Sequence, residues 1–246
     1  MEHPNHKITE ASLTFNVKLD ADQFMDCLPQ LKKELANNGF RFVRRFPSQL
    51  NLSFHPQGIT IQPTLQEEGH LQLLFHNPNK SYILNVGTSL LGFHVVNQYT
   101  GWDFFKDDFI NPMLDKTKSI LGSGEIVGGV FNYINVFSLS EIELTKDWFT
   151  FIQTVEPLTE INLAQAWFNK EGIGFRLEAN VIPTQDHQLY FRVAPIAGMN
   201  FESDTISFSD SERINILADR LHAEAKNIFL QNTGKQLLAY ISKKGV

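Results

Sequence analysis

Residues 71–96, LQLLFHNPNKSYILNVGTSLLGFHVV, decide the fold of this chain. Three apolar runs, Leu71–His76, Ser81–Val86 and Leu90–Val96, are separated by short segments rich in Asn, Pro, Gly and Ser. Runs of this length between turn-forming residues predict β-strands. Because such short connections join antiparallel neighbours, the stretch predicts a run of antiparallel strands.

The same pattern extends over both halves of the chain. In the first half, residues 8–16 alternate loosely between apolar and polar side chains and predict one more strand. The remaining predicted strands are Phe40–Phe46, Leu50–His55, Ile59–Pro63, Ile126–Phe137, Trp148–Gln153, Thr159–Asn169, Gly174–Ile182 and Gln188–Pro195.

The first predicted helix lies between two of these strands. Asp20 followed by Gln23 predicts an N-terminal capping box, and Gly39 predicts the helix end. Pro29 lies inside this segment, so we expect a kink there or a separate first turn.

Two further helices are expected, one at the end of each half. The first runs from about Trp102 to Leu121 with a kink at Pro112, and the second begins at a capping box over Ser209–Glu212. A short apolar segment, Leu237–Ile241, is expected to pack on the body of the protein.

This order of elements predicts the α+β class. Each half, residues 1–122 and residues 123–246, is expected to be a sub-domain with its own antiparallel sheet and a long helix at its end. No stretch resembles a flexible linker, so the two sub-domains are expected to pack as one compact unit. The repeated order is compatible with an ancient duplication, although no residue-level repeat accompanies it.

The composition excludes several classes of protein. The chain has 246 residues, 42% of them hydrophobic, with 21 Lys and Arg against 27 Asp and Glu. This balance disfavours a basic nucleic-acid binder, and the hydrophobic fraction disfavours disorder. A single cysteine, Cys27, excludes a disulfide within the chain, and no apolar stretch is long enough for a membrane helix. We therefore expect a cytoplasmic protein that does not bind membranes.

Histidines are the candidate metal ligands. His55, His76 and His94 lie in or at the ends of predicted strands, and three imidazoles on neighbouring strands are a common zinc ligand set. Strand-end histidines bonded to the backbone are the favoured interpretation, because no H-E-x-x-H or similar spacing is present. We expect no cofactor and assign no catalytic residue.

The densest positive patch lies near the end of the first helix and in the strand that follows it. It consists of Lys32, Lys33, Arg41, Arg44 and Arg45. A solvated face is the favoured interpretation, and a surface that binds phosphate, nucleic acid or an acidic partner is the alternative.

Four motifs in order resemble a sporadically distributed prokaryotic family of unknown function. They are the I-x-E-A start at Ile8–Ala11, the Y-x-x-W-x-x-F of Tyr99–Phe105, the Y-I-N of Tyr133–Asn135, and the L-H with a later Phe of Leu221–Phe229. Asn132 stands where the family usually has an arginine. The resemblance implies no activity, but the patchy distribution of the family is typical of mobile or defence-associated genes.

Four polar residues within these motifs are candidate ligand contacts. Glu10, Tyr133, Asn135 and His222 are expected to line a cleft between the two sheets. For Asn135 a structural brace inside the strand is the favoured interpretation, because Asn is depleted in strands and a buried amide needs hydrogen bonds, and for His222 a structural role is favoured in the same way.

We therefore predict a non-catalytic interaction or accessory protein, belonging to a prokaryotic defence or toxin-linked system, with another protein as its partner. The alternatives are a small-ligand-binding protein and a metal-dependent hydrolase that uses the three histidines. Nucleic-acid binding through Lys32–Arg45 is the weakest alternative.

Overall fold

The computed structural model describes residues 8–46, 50–55, 58–63, 72–154, 156–158, 160–168, 173–183, 188–201 and 203–242. The strands are β1 (Ile8–Lys18), β2 (Arg41–Phe46), β3 (Leu50–His55), β4 (Gly58–Pro63), β5 (Gln72–Asn77), β6 (Tyr82–Gly87), β7 (Leu90–Val96), β8 (Glu125–Ser138), β9 (Asn162–Phe168), β10 (Gly174–Pro183), β11 (Leu189–Asn200) and β12 (Ile206–Ser207). The helices are α1 (Ala21–Asn37), α2 (Trp102–Phe105), α3 (Asn111–Leu121), α4 (Ser211–Gln231) and α5 (Lys235–Ser242).

In this described part of the chain, one antiparallel sheet spans both halves. Its strand order is β2-β5-β6-β7-β1-β8-β11-β10-β9, β12 also pairs with β8, and β3 and β4 form a separate hairpin. The α+β prediction is confirmed. A separate sheet in each half is wrong, because β1 and β8 pair directly along most of their length.

The two halves nevertheless use the same strand order. In the first half the meander β5-β6-β7 ends beside β1, and in the second half the meander β9-β10-β11 ends beside β8. Each half thus places its first strand next to its last, and the predicted boundary at residue 122 lies between α3 and β8. The duplication stays a prediction.

Helix α1 begins and ends where the sequence predicts. The Gln23 backbone N–H donates to Asp20 Oδ1 at 2.8 Å, which satisfies a free amide of the first turn. Gly39 has a φ of 80°, the left-handed conformation that commonly follows a helix C-terminus. The expected separate first turn is wrong, since α1 continues as one helix through Pro29.

The second predicted helix is interrupted by a π-helical turn. Residues Lys106–Ile110 form this turn between α2 and α3. Pro112 has no N–H to donate to the carbonyl four residues earlier, and a local widening of the helix accommodates that loss. The turn directs Phe109 into the core, where its ring stacks on that of Tyr82 with 4.3 Å between centroids.

The C-terminal region shows two differences from expectation. The N-cap of α4 is Asp210, whose carboxylate accepts from the Arg213 N–H at 3.0 Å, so the helix begins one residue later than a Ser209 cap predicts. Residues 148–153 do not form the predicted strand; an isolated bridge joins Phe149 to Thr233 instead. Residues Leu237 and Ile241 of α5 are fully buried, as expected.

The core lies between one face of the sheet and the helices. Helix α4 packs on β8 and β11 at this face of the sheet, which we call the helix-covered face. Of the twelve largest fully buried side chains among the described residues, eleven are Phe, in a chain that has 21 Phe against 5 Tyr and 3 Trp. No helix among the described residues is long and apolar enough to cross a membrane.

Candidate functional site

The four predicted ligand contacts lie on both faces of the sheet. Tyr133 is paired with Ala11, whereas Glu10 is paired with Ile134. Because successive strand residues point to opposite faces, Glu10 projects from the face opposite to the one that carries Tyr133. Asn135 and Tyr133 share the helix-covered face, so the structure does not bring Glu10 together with them.

Glu10 instead forms a buried pair with His94. Imidazole Nδ1 lies 3.3 Å from Glu10 Oε1, and the two residues are 7% and 2% exposed. The pair arises from the register: His94 faces Ser12, so Glu10 is its diagonal neighbour. No residue in the described part of the chain donates a hydrogen bond to Glu10 Oε2.

The electrostatics of this pair are set mainly by burial. Loss of hydration raises the pKa of Glu10, and the hydrogen bond from His94, with the positive charges of His94 and Arg192, opposes the increase. The hydrogen bond from His94 thus compensates part of the cost of burying the Glu10 carboxyl group.

On the helix-covered face, His222 belongs to an aromatic cluster. Its ring is parallel to that of Trp102, with 4.4 Å between centroids and 6° between planes. The edges of Phe131 and Tyr133 complete the packing, at 5.4 and 5.7 Å from His222. The Tyr133 hydroxyl lies 3.0 Å from that of Tyr99. These motif residues therefore pack against one another.

Burial lowers the pKa of His222 to about 4, and the positive charge of Lys226 adds to the effect. The imidazole is therefore neutral at pH 7. Asp219 fixes its stacking partner, because the Trp102 Nε1–H donates to Asp219 Oδ1 at 2.7 Å, and Lys106 Nζ lies 2.8 Å from the same carboxylate. Asp219 was not selected from the sequence, although its position one helical turn before His222 was an available signal.

Asn135 is fully buried in the middle of β8. Its amide Nδ2 donates to the carbonyl of Val193 at 3.4 Å, a long hydrogen bond, and no described residue donates to Oδ1. The hydrogen bond of Nδ2 joins β8 to β11, as a structural brace would. Oδ1, by contrast, is a buried acceptor that the described residues leave unsatisfied. Both interpretations of Asn135 stay predictions.

The candidate metal ligands are only partly described. His76 and His94 lie in one row of the sheet, separated by Ile83 on the strand between them. The side chain of His55 lies outside the described residues. Among the residues that the structure describes, no group of three or more His, Cys, Asp or Glu side chains is placed to hold a metal ion.

The basic patch divides between the two faces at the sheet edge. Lys32 Nζ lies 4.5 Å from the ring centroid of Phe42, a cation–π contact. Arg41 precedes Phe42 in β2 and therefore points to the opposite face, while Lys33 is exposed on α1. The side chains of Arg44 and Arg45 lie outside the described residues.

The opposite edge of the sheet, β9, was not selected from the sequence. Within the described part of the chain, β9 pairs with β10 alone. Five of its residues, Asn162, Ala164, Gln165, Ala166 and Trp167, are exposed. None of the seven residues NLAQAWF carries a charge, and this absence of charge was the signal available in the sequence.

The register shows which backbone groups of β9 point outward. The Val181 N–H donates to the carbonyl of Ile161, so these two residues form a hydrogen-bonded pair. Hydrogen-bonded pairs alternate along an antiparallel ladder, so Leu163, Gln165 and Trp167 bond to β10 as well. The N–H and C=O groups of the alternate residues, Asn162, Ala164, Ala166 and Phe168, point away from the sheet.

No protein-family model matches this chain, and no curated protein or solved structure matches it either.

Proposed function

We propose that this chain is a non-catalytic interaction protein that binds an extended segment of a protein partner along the outward edge of β9. The observation that carries the proposal is the exposed, uncharged edge of this strand. Its outward N–H and C=O groups form a row that an added strand can bond, and alternate side chains supply apolar contacts.

The contrast with the other edge supports this role. Natural sheets protect edge strands with charged side chains or proline, because an unprotected edge pairs with other chains. The β2 edge contains Arg41, Arg44 and Arg45, whereas β9 has neither charge nor proline. An edge left open in this way is typical of a binding surface.

The family resemblance extends the proposal to a biological setting. A prokaryotic defence or toxin-linked system is the setting that a patchy distribution favours, and an accessory subunit is the role within it. We include in the same proposal that the halves 1–122 and 123–246 descend from a duplication, which their shared strand order supports.

A second candidate function is the binding of a small polar ligand on the face that carries Glu10. It is favoured by buried oxygens without partners, Glu10 Oε2 and Asn85 Oδ1, because such atoms in native proteins usually bond water or a ligand. A thermal-shift screen of metabolites against the wild type and Glu10→Ala tests it. Stabilisation of the wild type alone supports it, and no stabilisation by any compound opposes it.

The primary proposal is tested by affinity purification from the native host. Ala166→Pro removes an outward N–H and no bond to β10, so the sheet keeps its internal ladder. Ala166→Val is the matched control, because it keeps that N–H and adds a side chain favoured in strands. We expect a stoichiometric protein with the wild type and Ala166→Val, and its loss with Ala166→Pro. Equal recovery with all three chains contradicts the proposal.

A further inference from the structure

We infer that the strand added to β9 is β9 of a second copy of this chain, paired antiparallel about a two-fold axis through Gln165. This inference rests on the proposed use of the β9 edge and names its occupant. The axis through Gln165 is the choice that aligns all seven residues of β9 with their symmetry mates.

The backbone fits this register. With Gln165 on the axis, Ala164 faces Ala166 of the second copy, and Asn162 faces Phe168 of the second copy. The N–H and C=O groups of all four residues point outward. Each of these facing pairs is therefore able to exchange two hydrogen bonds. The pairing therefore forms about eight bonds between the chains.

The side chains on the helix-covered face are complementary. Trp167 is 38% exposed and packs on Phe175 with 5.8 Å between ring centroids. In the proposed register Trp167 faces Leu163 of the second copy in a non-hydrogen-bonded pair, the kind with the closest side-chain approach. The pairing occurs twice by symmetry and covers the exposed indole on both chains.

The charges on the other face are complementary too. Arg176 is opposite Ala166, and Glu178 is opposite Ala164. In the proposed register, Arg176 of one chain thus shares a row with Glu178 of the other, with two small alanines between them. The Cα atoms of Arg176 and of Glu178 in the other chain are three strand spacings apart, about 14 Å. Two long side chains are therefore able to approach each other above the alanines. Within one chain Arg176 Nη2 already lies 2.8 Å from Glu178 Oε1, so the contact across the axis exchanges this exposed ion pair for one between the two chains.

One strand from each chain makes a small interface. Contacts of this class are weak and depend on protein concentration. We therefore expect a reversible dimer in the micromolar range, from about 1 to about 100 µM.

Sedimentation velocity of the full chain measures the assembly. The wild type and Ala166→Val are expected to shift from the 28.1 kDa chain mass to twice that mass over the range of about 1 to about 100 µM. Ala166→Pro is expected to stay a monomer over this range. A wild type that is monomeric throughout, or an Ala166→Pro dimer of equal strength, overturns the inference.

A disulfide trap tests the register independently. In a Cys27→Ser background, Gln165→Cys places two thiols in a pair across the axis, with Cα atoms about 4.5 Å apart, within the range of a disulfide. Asn162→Cys is the matched control, because its symmetry mate is displaced by six residues along the strand, about 20 Å. We expect covalent dimer from Gln165→Cys under mild oxidation and not from Asn162→Cys. Equal cross-linking of the two variants overturns the register.

The two proposals fail in different ways. If the wild type is monomeric but recovers a different host protein that Ala166→Pro loses, the second copy is the wrong occupant and the use of β9 stands. If the chain dimerises with Ala166→Pro as well as without it, the second copy uses another surface and the inference fails, whereas the use of β9 fails only if a host protein is recovered equally with all three chains.

Discussion

The imidazole of His222 lies parallel to the indole of Trp102, with 4.4 Å between the ring centroids. Asp219, one turn earlier in α4, holds the indole by a hydrogen bond of 2.7 Å. A protonated imidazole in this packed position loses hydration, which is why its pKa falls to about 4. The stack thus couples the stability of the fold to pH.

The first prediction concerns this pH dependence. Above pH 6.5 the imidazole is neutral in the folded and the unfolded states. As the pH falls from 6.5 towards 4, the unfolded chain binds a proton at this position and the folded chain does not. The free energy of unfolding is therefore expected to fall by about 3 kcal/mol through this window and to level off below pH 4, where the folded chain binds the proton too.

Urea unfolding at pH 7 and pH 4 checks this prediction. His222→Phe is the matched variant, because it keeps an aromatic ring against Trp102 and removes the titration. All other titrating groups are shared, so the difference between the two proteins isolates His222. An identical pH dependence in both contradicts the assignment.

The second prediction concerns the buried carboxyl group of Glu10. Because the pKa of Glu10 is higher in the folded than in the unfolded state, Glu10 contributes fully to the free energy of unfolding below its unfolded-state pKa. That contribution is lost as the pH rises through the folded-state pKa. Glu10→Gln removes the ionisation and keeps an acceptor for His94. We expect this variant to be more stable than the wild type at pH 8 by about 1–2 kcal/mol, and the gain to vanish near pH 4.

Chemical denaturation at the two pH values measures this gain. Glu143→Gln is the control, since Glu143 is exposed and its replacement should change neither curve. If Glu10→Gln is instead less stable than the wild type at pH 8 and equal to it at pH 4, the hydrogen bond from His94 stabilises the ionised carboxylate by more than burial destabilises it.

The third prediction separates the two interpretations of Asn135. Removal of a buried polar group with an unsatisfied oxygen and one long hydrogen bond costs little, so Asn135→Leu is expected to change the free energy of unfolding by less than about 1 kcal/mol. Asn135→Asp adds a buried charge and is expected to cost about 3 kcal/mol or more. Comparable large losses in both variants, measured by urea unfolding, would mean that the amide is a structural brace.

The strand pattern of residues 71–96 was sufficient to predict β5, β6 and β7, because each connection is short and rich in turn-forming residues. The pairing of β1 with β8 was not predictable in the same way. Alternation identifies a strand but not its neighbour, and this neighbour lies more than a hundred residues away. The sequence therefore indicated two sheets where the chain forms one.

The candidate site shows the same division. Glu10 and His94 were both selected from the sequence, but for different sites, and only the register of β1 with β7 makes them a pair. The β9 edge required the strand order, because a sequence does not say which strand lies at the end of a sheet. His222 and Trp102 belong to separate motifs, and their contact depends on α4 packing on β8.

The fourth prediction concerns the turn between α4 and α5. A Cβ on Gly234 would overlap the backbone carbonyl of Asp147, and the Gly234 N–H donates to the Trp148 carbonyl at 2.7 Å. Gly234→Ala is expected to lower the free energy of unfolding by about 2–3 kcal/mol. Gly198→Ala is the control with a smaller expected loss, because its nearest neighbour is a methyl group of Val130 at 3.2 Å. Equal losses in thermal unfolding would contradict the close packing at this turn.

The most direct measurement for the central claim is amide hydrogen exchange at β9, resolved by residue, in the dilute chain and in its associated form. Leu163 and Gln165 bond to β10 and are expected to be protected in both samples. We predict that the outward amides of Ala164 and Ala166 exchange rapidly in the dilute chain and become protected on association. Rapid exchange of these two amides in the associated sample would contradict the use of β9 as the binding edge.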